Sequence, residues 1–435
     1  MHICILARSS TEGLHGLLLI IESALNSSSP TAANNTNHTQ PSSTTCQCLA
    51  TLLDSLSNAC QDRTFQKTVL QSRKALLFGL SNCLSYHVPL LSDVSHAYLV
   101  ASICRLLHNI YVGGQLDQST MNHNNNNFNF MNHSLNNDNC TIFCCLTSSK
   151  LINSLLNGIG AILDQIGHGP ELRAVVIALA GRLLPLCHDT NQLSSWFGEH
   201  TAGSVIPKSI NDLTSRTRLL LAILDSCSLD SCSKRVPPVN TTVIKNGQQQ
   251  QQSDENIMSQ LKNEANNTNN NNIASHLITG CIRCLVTGTN HSINLRYAIG
   301  DDKRRVRRLA RLIRVRLVEH NNHKSQPTSS SSVMLNKSRQ QLPPRDEPLA
   351  GNVCLILQYC VSDTPLAEHL QGTTVIYDLL TLIQESQRLD TKRNAAILIG
   401  KLAQSSQVHR DELSRLDGYS VLTPFNSWTA ALERC

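Results

Sequence analysis

Between Asp302 and His320 the chain reads DKRRVRRLARLIRVRLVEH, with eight Lys or Arg in the fourteen positions from 303 to 316. Guanidinium groups at that density could dock a polyanion, either an acidic protein segment held by Arg–carboxylate forks or a nucleic-acid backbone. At 100° per residue, Val306, Leu309, Ala310, Ile313 and Leu317 share one helical face, and Arg304, Arg307, Arg308, Arg311 and Arg314 share another. Leu312 and Val315 fall off the apolar stripe, as suits a repeat helix that touches neighbours on two sides. The five arginines are the candidate partner-binding residues. The plainer reading is a packed helix with one solvated basic face. The alternative function, a nucleic-acid or nuclear-import-related binder acting through 303–316, is disfavoured because no aromatics are interleaved for base stacking. The rest of the chain is also close to neutral: the net charge is +6, and residues 301–320 supply +5 of it, eight basic groups against Asp301, Asp302 and Glu319.

Other residue types with chemical potential lack the right company. Cys281 and Cys284 form one C-x-x-C inside the apolar run ITGCIRCLV, with no second pair at zinc-finger spacing. Cys46 with Cys48, and Cys144 with Cys145, have no nearby His at ligand spacing. Gly400-Lys401 has no upstream glycine frame and follows a helical pattern, so it is not a phosphate loop. There is no nucleophile elbow, and many of the seventeen His residues lie in Asn-rich tracts that could not hold a catalytic geometry. The expectation is a non-enzymatic protein with no catalytic, cofactor-binding or metal residues.

What must position the basic stretch is a helical framework. Of 435 residues, 40% are apolar but only 4% aromatic, and the apolar share is carried by Leu, Ile, Ala, Val and Cys, which suit helices packed on helices. The seventeen cysteines are an odd number scattered through Leu-rich runs, so they read as reduced core residues and imply the cytoplasm. GLLLII at Gly16–Ile21 is too short for a membrane span and is flanked by Glu12, His15 and Glu22, which makes it an amphipathic helix. No stretch approaches 18 uninterrupted apolar residues, so no transmembrane helix is expected.

The predicted organisation is an N-terminal helix at 1–25, helical repeats at 46–114 and 140–235, a repeat with the basic helix at 273–320, and further repeats at 347–435. Polar tracts at 26–45, 115–139, 236–272 and 321–346, with runs such as NHNNNNFNF and NGQQQQQS, cannot bury a core and are expected to be disordered inserts. Between them, runs such as ELRAVVIALAGRLLPLC and GNVCLILQYCV carry apolar residues at three- and four-residue spacing with no alternation of period two.

Asn352 opens NVCLILQYC and Asn394 opens NAAILIGKL, 42 residues apart. Gly280 precedes Asn352 by 72, which falls to the same period once about 30 residues of polar insert are removed, and Arg182 and Asp225 are 43 apart. Periods of about 40 to 47 are the signature of armadillo or HEAT arrays, in which each hairpin exposes an apolar face that only a stacked neighbour can cover.

RNAAILIGKLAQSSQVHRDELSRLDGYSVL, Arg393 to Leu422, resembles an armadillo repeat's last helix, its turn and the opening of the next repeat. Asn394, Ala395, Ala396, Leu398, Leu402 and Ala403 match the usual positions, and Asp417 and Gly418 stand at the glycine turn. Over about the last 160 residues the chain is similar to the C-terminal armadillo region of the tetratricopeptide repeat protein twelve family. That resemblance implies an all-α armadillo-like solenoid and a chaperone-like scaffold in the cytoplasmic assembly of axonemal dynein arms. The implied partners are other proteins, chaperones or dynein subunits among them, with no membrane. A convincing N-terminal tetratricopeptide array is missing. Armadillo grooves usually carry an Asn on each third helix to hold an extended peptide. The corresponding positions here are expected at Asn82, Asn109, Arg182, Asp225, Tyr359 and Lys401, which departs from a regular Asn ladder.

Overall fold

The computed structural model describes residues 18–25 (Glu22 excepted), 42–61, 74–124, 148–165, 169–198, 213–226, 270–315 and 346–425. Among the described residues the regular structure is entirely helical, with no strand. The chain divides into two compact units, Met1–Cys227 with Val239–Asn294, and Ser228–Pro238 with Leu295–Cys435.

The first unit contains α1 (Ser43–Ala59), α2 (Lys74–His87), α3 (Val94–Asn124), α4 (Ser149–Asp164), α5 (Pro170–Leu183), α6 (Thr190–Phe197), α7 (Ser215–Ser226) and α8 (Asn270–His291). Two layers result. Helices α1, α3, α5 and α8 pack in succession, while α2, α4 and α7 form a second row behind them. The local sequence places the ends: Ser42 accepts from Thr45 N at 3.2 Å, Asp189 accepts from Asn191 N and Gln192 N at 3.0 and 3.2 Å, and Gly198 stops α6 at φ 97°. In α4, Leu151, Ile152, Leu155, Leu156, Ile159 and Leu163 are all buried, a stripe wide enough to face both layers. At the α5–α8 crossing, a side chain on Gly181 would start 2.9 Å from Gly280 O, and one on Gly280 would start 3.0 Å from the Ala178 backbone. The two helices therefore meet backbone to backbone.

Before α1, residues 18–21 and 23–25 are helical, with Leu18, Ile21 and Leu25 buried and Leu19 and Ile20 exposed, an amphipathic pattern. No helix among the described residues is long and apolar enough to cross a membrane.

The second unit takes up the chain within α9 (Ile293–Gly300) and continues through α10 (Lys303–Leu312), α11 (Glu347–Cys360), α12 (Leu366–Leu370), α13 (Val375–Glu385), α14 (Leu389–Ser405), α15 (Gln407–Arg415) and α16 (Gly418–Leu422). Helices α12, α13 and α14 make one full three-helix repeat, with α14 packed on α11 and on α13. The repeat length is written in hydrogen bonds between equivalent helices. His409 Nε2 meets Ala367 O across 42 residues at 2.9 Å. Asn394 Nδ2 donates to Gly351 O and Lys401 Nζ to Gln358 O, each across 43 residues, at 3.3 and 3.0 Å. Thr391 Oγ1 donates to Glu347 O across 44. The fold is thus all-α and armadillo-like within each unit, as the spacing of Asn352 and Asn394 implies.

The element boundaries correct the sequence reading in places. Helix α1 begins inside the tract 26–45, α3 continues to Asn124 inside 115–139, and α8 begins inside 236–272. A helix nucleated on packed turns propagates into polar sequence at little cost, because each added residue brings one further backbone bond. Residues 26–41, 125–139, 236–269 and 321–345, where disorder is expected, lie outside the described residues. The spacing of Arg182 and Asp225 is not a repeat period, because α5 belongs to the first row and α7 to the second. Equivalent to α5 is α8, with the long polar tract intervening, so the insert hides the true register.

Candidate functional site

The basic stretch is not one helix. Asp302 caps α10 by accepting from Arg304 N at 2.8 Å and Arg305 N at 3.3 Å, and it offsets the cost of placing cations at a helix N-terminus. The helix ends at Leu312, and Arg314 N and Val315 N then bond back three residues to Arg311 O and Leu312 O. Val315 O accepts from Asp346 N at 3.1 Å, so the two ends of the 316–345 tract are tied together, and Asp346 goes on to cap α11 through Leu349 N at 3.1 Å. Closing even a long excursion costs only slightly more than closing a short one. Arg314 therefore sits in a turn, and Leu317 lies outside the described residues.

The apolar face is spent on packing. Val306, Leu309, Ala310, Leu312 and Ile313 are buried, including Leu312, which the wheel leaves off the stripe. The candidate arginines divide into three kinds. Arg304 and Arg311 are exposed on the outer face of α10. Arg307 is also exposed but leans on the next repeat, its Nε donating to His369 O at 3.3 Å, and Arg308 is half-buried. Arg314 is half-exposed and its Nη2 lies 2.8 Å from Asp378 Oδ2, a carboxylate only 9% exposed that also accepts from Thr374 Oγ1. Arg314 is a partner of the core of α13. Arg305, outside the candidate set, is a strut as well: its Nη1 donates to Ala298 O at 2.7 Å.

The expected groove positions are likewise redistributed. Asn82 and Asp225 lie on the second-row helices α2 and α7, not on the row of α1, α3, α5 and α8. Asn109 donates to Ser57 O and Ser57 Oγ at 3.1 and 2.9 Å, and Lys401 to Gln358 O. This amide and this ammonium each fasten a helix to its equivalent one repeat earlier. Arg182, on α5, has its pKa pushed down to about 10 by burial and by the neighbouring Arg283 charge.

Nine cysteines are free and buried and Cys48 is exposed, among the described residues. Cys281 Sγ donates to Leu220 O at 3.2 Å and Cys284 Sγ to Ile177 O at 3.7 Å, so the C-x-x-C motif is core. Burial pushes the thiols of Cys60, Cys104, Cys354 and Cys360 up to about 12, which makes them inert. One cysteine differs. Cys46 on α1 meets two histidines distant in sequence: His96 Nδ1 at 3.7 Å, and beyond it His87 Nδ1, 2.6 Å from the same His96 nitrogen. All three are buried and their ligand atoms lie within 4.8 Å of one another. Burial, assisted by His96, lowers His87 to about 4, and burial together with the Asp93 charge raises the Cys46 thiol. Sequence spacing misses this cluster because the cysteine lies 41 and 50 residues before the two histidines and the three come from three elements.

No family model matches the chain, and no curated protein matches it. Among solved structures it is similar to a designed armadillo repeat protein, at 11% identity over 88% of this chain and 99% of that one, with a TM-score of 0.37. It is also similar to an engineered protein at 10% identity, over 98% and 95%, with a TM-score of 0.32.

Proposed function

We propose that this chain is a non-enzymatic protein-binding scaffold that docks an acidic segment of a partner on the outer face of α10. One observation carries the reading: Arg304, Arg307 and Arg311 are exposed together on a helix whose apolar face is fully committed to the core. Guanidinium groups on a helix present planar forks to carboxylates, and each fork loses less freedom per hydrogen bond than a flexible ammonium would. The finer reading, carried by the resemblance of the last 160 residues alone, is a cytoplasmic factor that assists axonemal dynein arm assembly, with chaperones or dynein subunits as the acidic partners.

The test uses the full chain and two labelled probes, a polyglutamate peptide and a DNA duplex. Binding of the peptide, abolished by the triple change Arg304→Glu, Arg307→Glu and Arg311→Glu, is expected. Preference for DNA with a steep loss over a modest rise in salt would overturn the reading in favour of phosphate contacts. For the finer reading, enrichment from ciliated cells should return dynein arm subunits that the triple variant fails to retain, and their absence from the wild-type eluate would defeat it.

A further inference from the structure

The cluster on α1, α2 and α3 has a hydrogen-bonding problem that points to a ligand. His96 Nδ1 has two close neighbours, the Cys46 thiol at 3.7 Å and His87 Nδ1 at 2.6 Å. An imidazole nitrogen carries either one hydrogen or one in-plane lone pair. If His96 Nδ1 bears hydrogen, it serves His87 and cannot accept from Cys46. If it is bare, it accepts from one of them and leaves the other unserved. His87 Nε2 is buried without a hydrogen-bond partner as well, so no tautomer satisfies the group. A cation at the centre resolves the conflict among the three facing atoms, since it takes a lone pair from each; the hydrogen of His87 then stays on Nε2, still without a partner.

We propose that Cys46, His87 and His96 form a structural site for a zinc-class ion, one thiolate and two imidazoles closing the start of the first unit. The ligand set selects the metal class: sulfur with two ring nitrogens suits borderline-soft ions such as Zn(II), and offers none of the oxygen cage that Ca(II) or Mg(II) needs. The spacing fits. Tetrahedral zinc with a Zn–S distance of about 2.3 Å and Zn–N of about 2.1 Å holds S and N about 3.6 Å apart, against 3.7 Å between Cys46 Sγ and His96 Nδ1. Two nitrogens in such a site stand about 3.4 Å apart, so the rings separate by under about 1 Å on loading, within reach of small side-chain rotations. On binding, Cys46 releases its proton to solvent and becomes the thiolate. The fourth position falls to a water, since the Asp93 carboxylate is exposed and engaged in capping α3 through Ser95 N at 2.7 Å. The ion would clip α1 to α3 across 50 residues of chain and fix the end of α2 between them.

The full chain, purified under reducing conditions and stripped with a chelator, is titrated with Co(II) as the spectroscopic probe and then with Zn(II). One equivalent of Co(II) should give visible bands of tetrahedral intensity together with a thiolate charge-transfer band, and Zn(II) should displace it and raise the melting temperature. Cys46→Ser should remove the charge-transfer band and His96→Gln should weaken Zn(II) binding by more than about a hundredfold, while Cys281→Ser, in the core of α8, leaves both readouts unchanged. Circular dichroism of each variant establishes that it is folded. A folded wild type that gives no charge-transfer band, or a Cys46→Ser variant that keeps it, would overturn the proposal.

Discussion

Where α5 meets α8 in the first unit, Gly181 and Gly280 bring two backbones together with no side chain between them, whereas where α11 meets α14 in the second, Thr391, Asn394 and Lys401 reach across to carbonyls of the helix before. Both contacts join equivalent helices of successive repeats, but they tolerate change differently. A backbone contact has no slack, because the atoms a new methyl would strike cannot rotate away. A side-chain contact can rearrange. Gly351 shows the distinction within the second unit: its nearest obstacle is the Thr391 hydroxyl oxygen, at 2.9 Å from where a methyl would begin, a side-chain atom that can shift at the expense of its bond to Glu347 O.

The apolar layer under both contacts is of one kind, so the largest losses should be the same in each unit. Leu179 on α5 and Leu398 on α14 are fully buried, and truncating either to Ala should cost about 2–5 kcal/mol. Leu402, one turn further along α14 and equally buried, should behave as Leu398 does. Hydrogen exchange should report the loss in the unit that carries the change, since repeat stability is shared chiefly with neighbours. Equal loosening of both units by either substitution would show that they fold as one cooperative block.

The glycines separate the two contacts directly. Gly280→Ala should destabilise by about 1–3 kcal/mol, because its methyl meets the Ala178 backbone and the helices must part. Gly351→Ala should cost distinctly less in a thermal melt. The reverse ranking would mean that the side-chain contact is the rigid one.

A third difference depends on pH. Glu347, the first residue of α11, accepts from Ser386 Oγ, Gln387 N and Arg388 N at 2.7, 2.8 and 2.9 Å, and so caps the chain entering α14 from one repeat away. Burial opposes its charge, but these bonds and the Arg388 charge outweigh that and hold the carboxyl below its usual range. A lowered folded pKa gives stability that is present above the unfolded value, about 4.3, and lost as pH falls through the folded one. The second unit should therefore soften in acid, and Glu347→Gln should cost about 1–2 kcal/mol at neutral pH while flattening that acid dependence. An unchanged acid profile in the variant would remove Glu347 from the account.

The framework of both units is legible in the sequence because it rests on local periodicity: the run ELRAVVIALAGRLLPLC marks α5, and the interval from Asn352 to Asn394 marks the repeat. Register across the first unit is not, because the polar tract before Asn270 separates helices that are neighbours in space and makes Arg182 and Asp225 look equivalent. The end of the basic helix is invisible for a related reason. Arg314 continues the wheel perfectly well, yet the helix ends at Leu312 and Val315 goes on to meet Asp346, a residue on the far side of a 30-residue tract. The Cys46, His87 and His96 cluster is equally beyond sequence spacing, since it exists only once three helices have packed.

The smallest expected effect on stability belongs to the exposed arginines, and it sharpens the distinction between surface and strut within α10 and its turn. Arg304 and Arg311 face solvent, so reversing both to Glu should shift the melt by under about 0.5 kcal/mol each. Arg314 is the contrast. Its guanidinium is half-exposed, so the ion pair itself is screened and contributes modestly. Arg314→Glu would nevertheless set a second carboxylate against Asp378, which is nearly buried and keeps Thr374 as its remaining hydrogen-bond donor. That substitution should cost about 1 kcal/mol or more, and Arg314→Gln, which keeps a donor without the charge, should recover part of it. Comparing the three variants by thermal melting and by polyglutamate binding assigns each residue its role. The Arg304 and Arg311 reversals should lose the peptide and keep the melt, because like charges set against each other suppress association without touching the core. Arg314→Gln should do the opposite, lowering the melt while leaving peptide binding nearly intact. A melt that falls with Arg304→Glu and Arg311→Glu would place those side chains among the struts and withdraw the outer face of α10 as a docking surface.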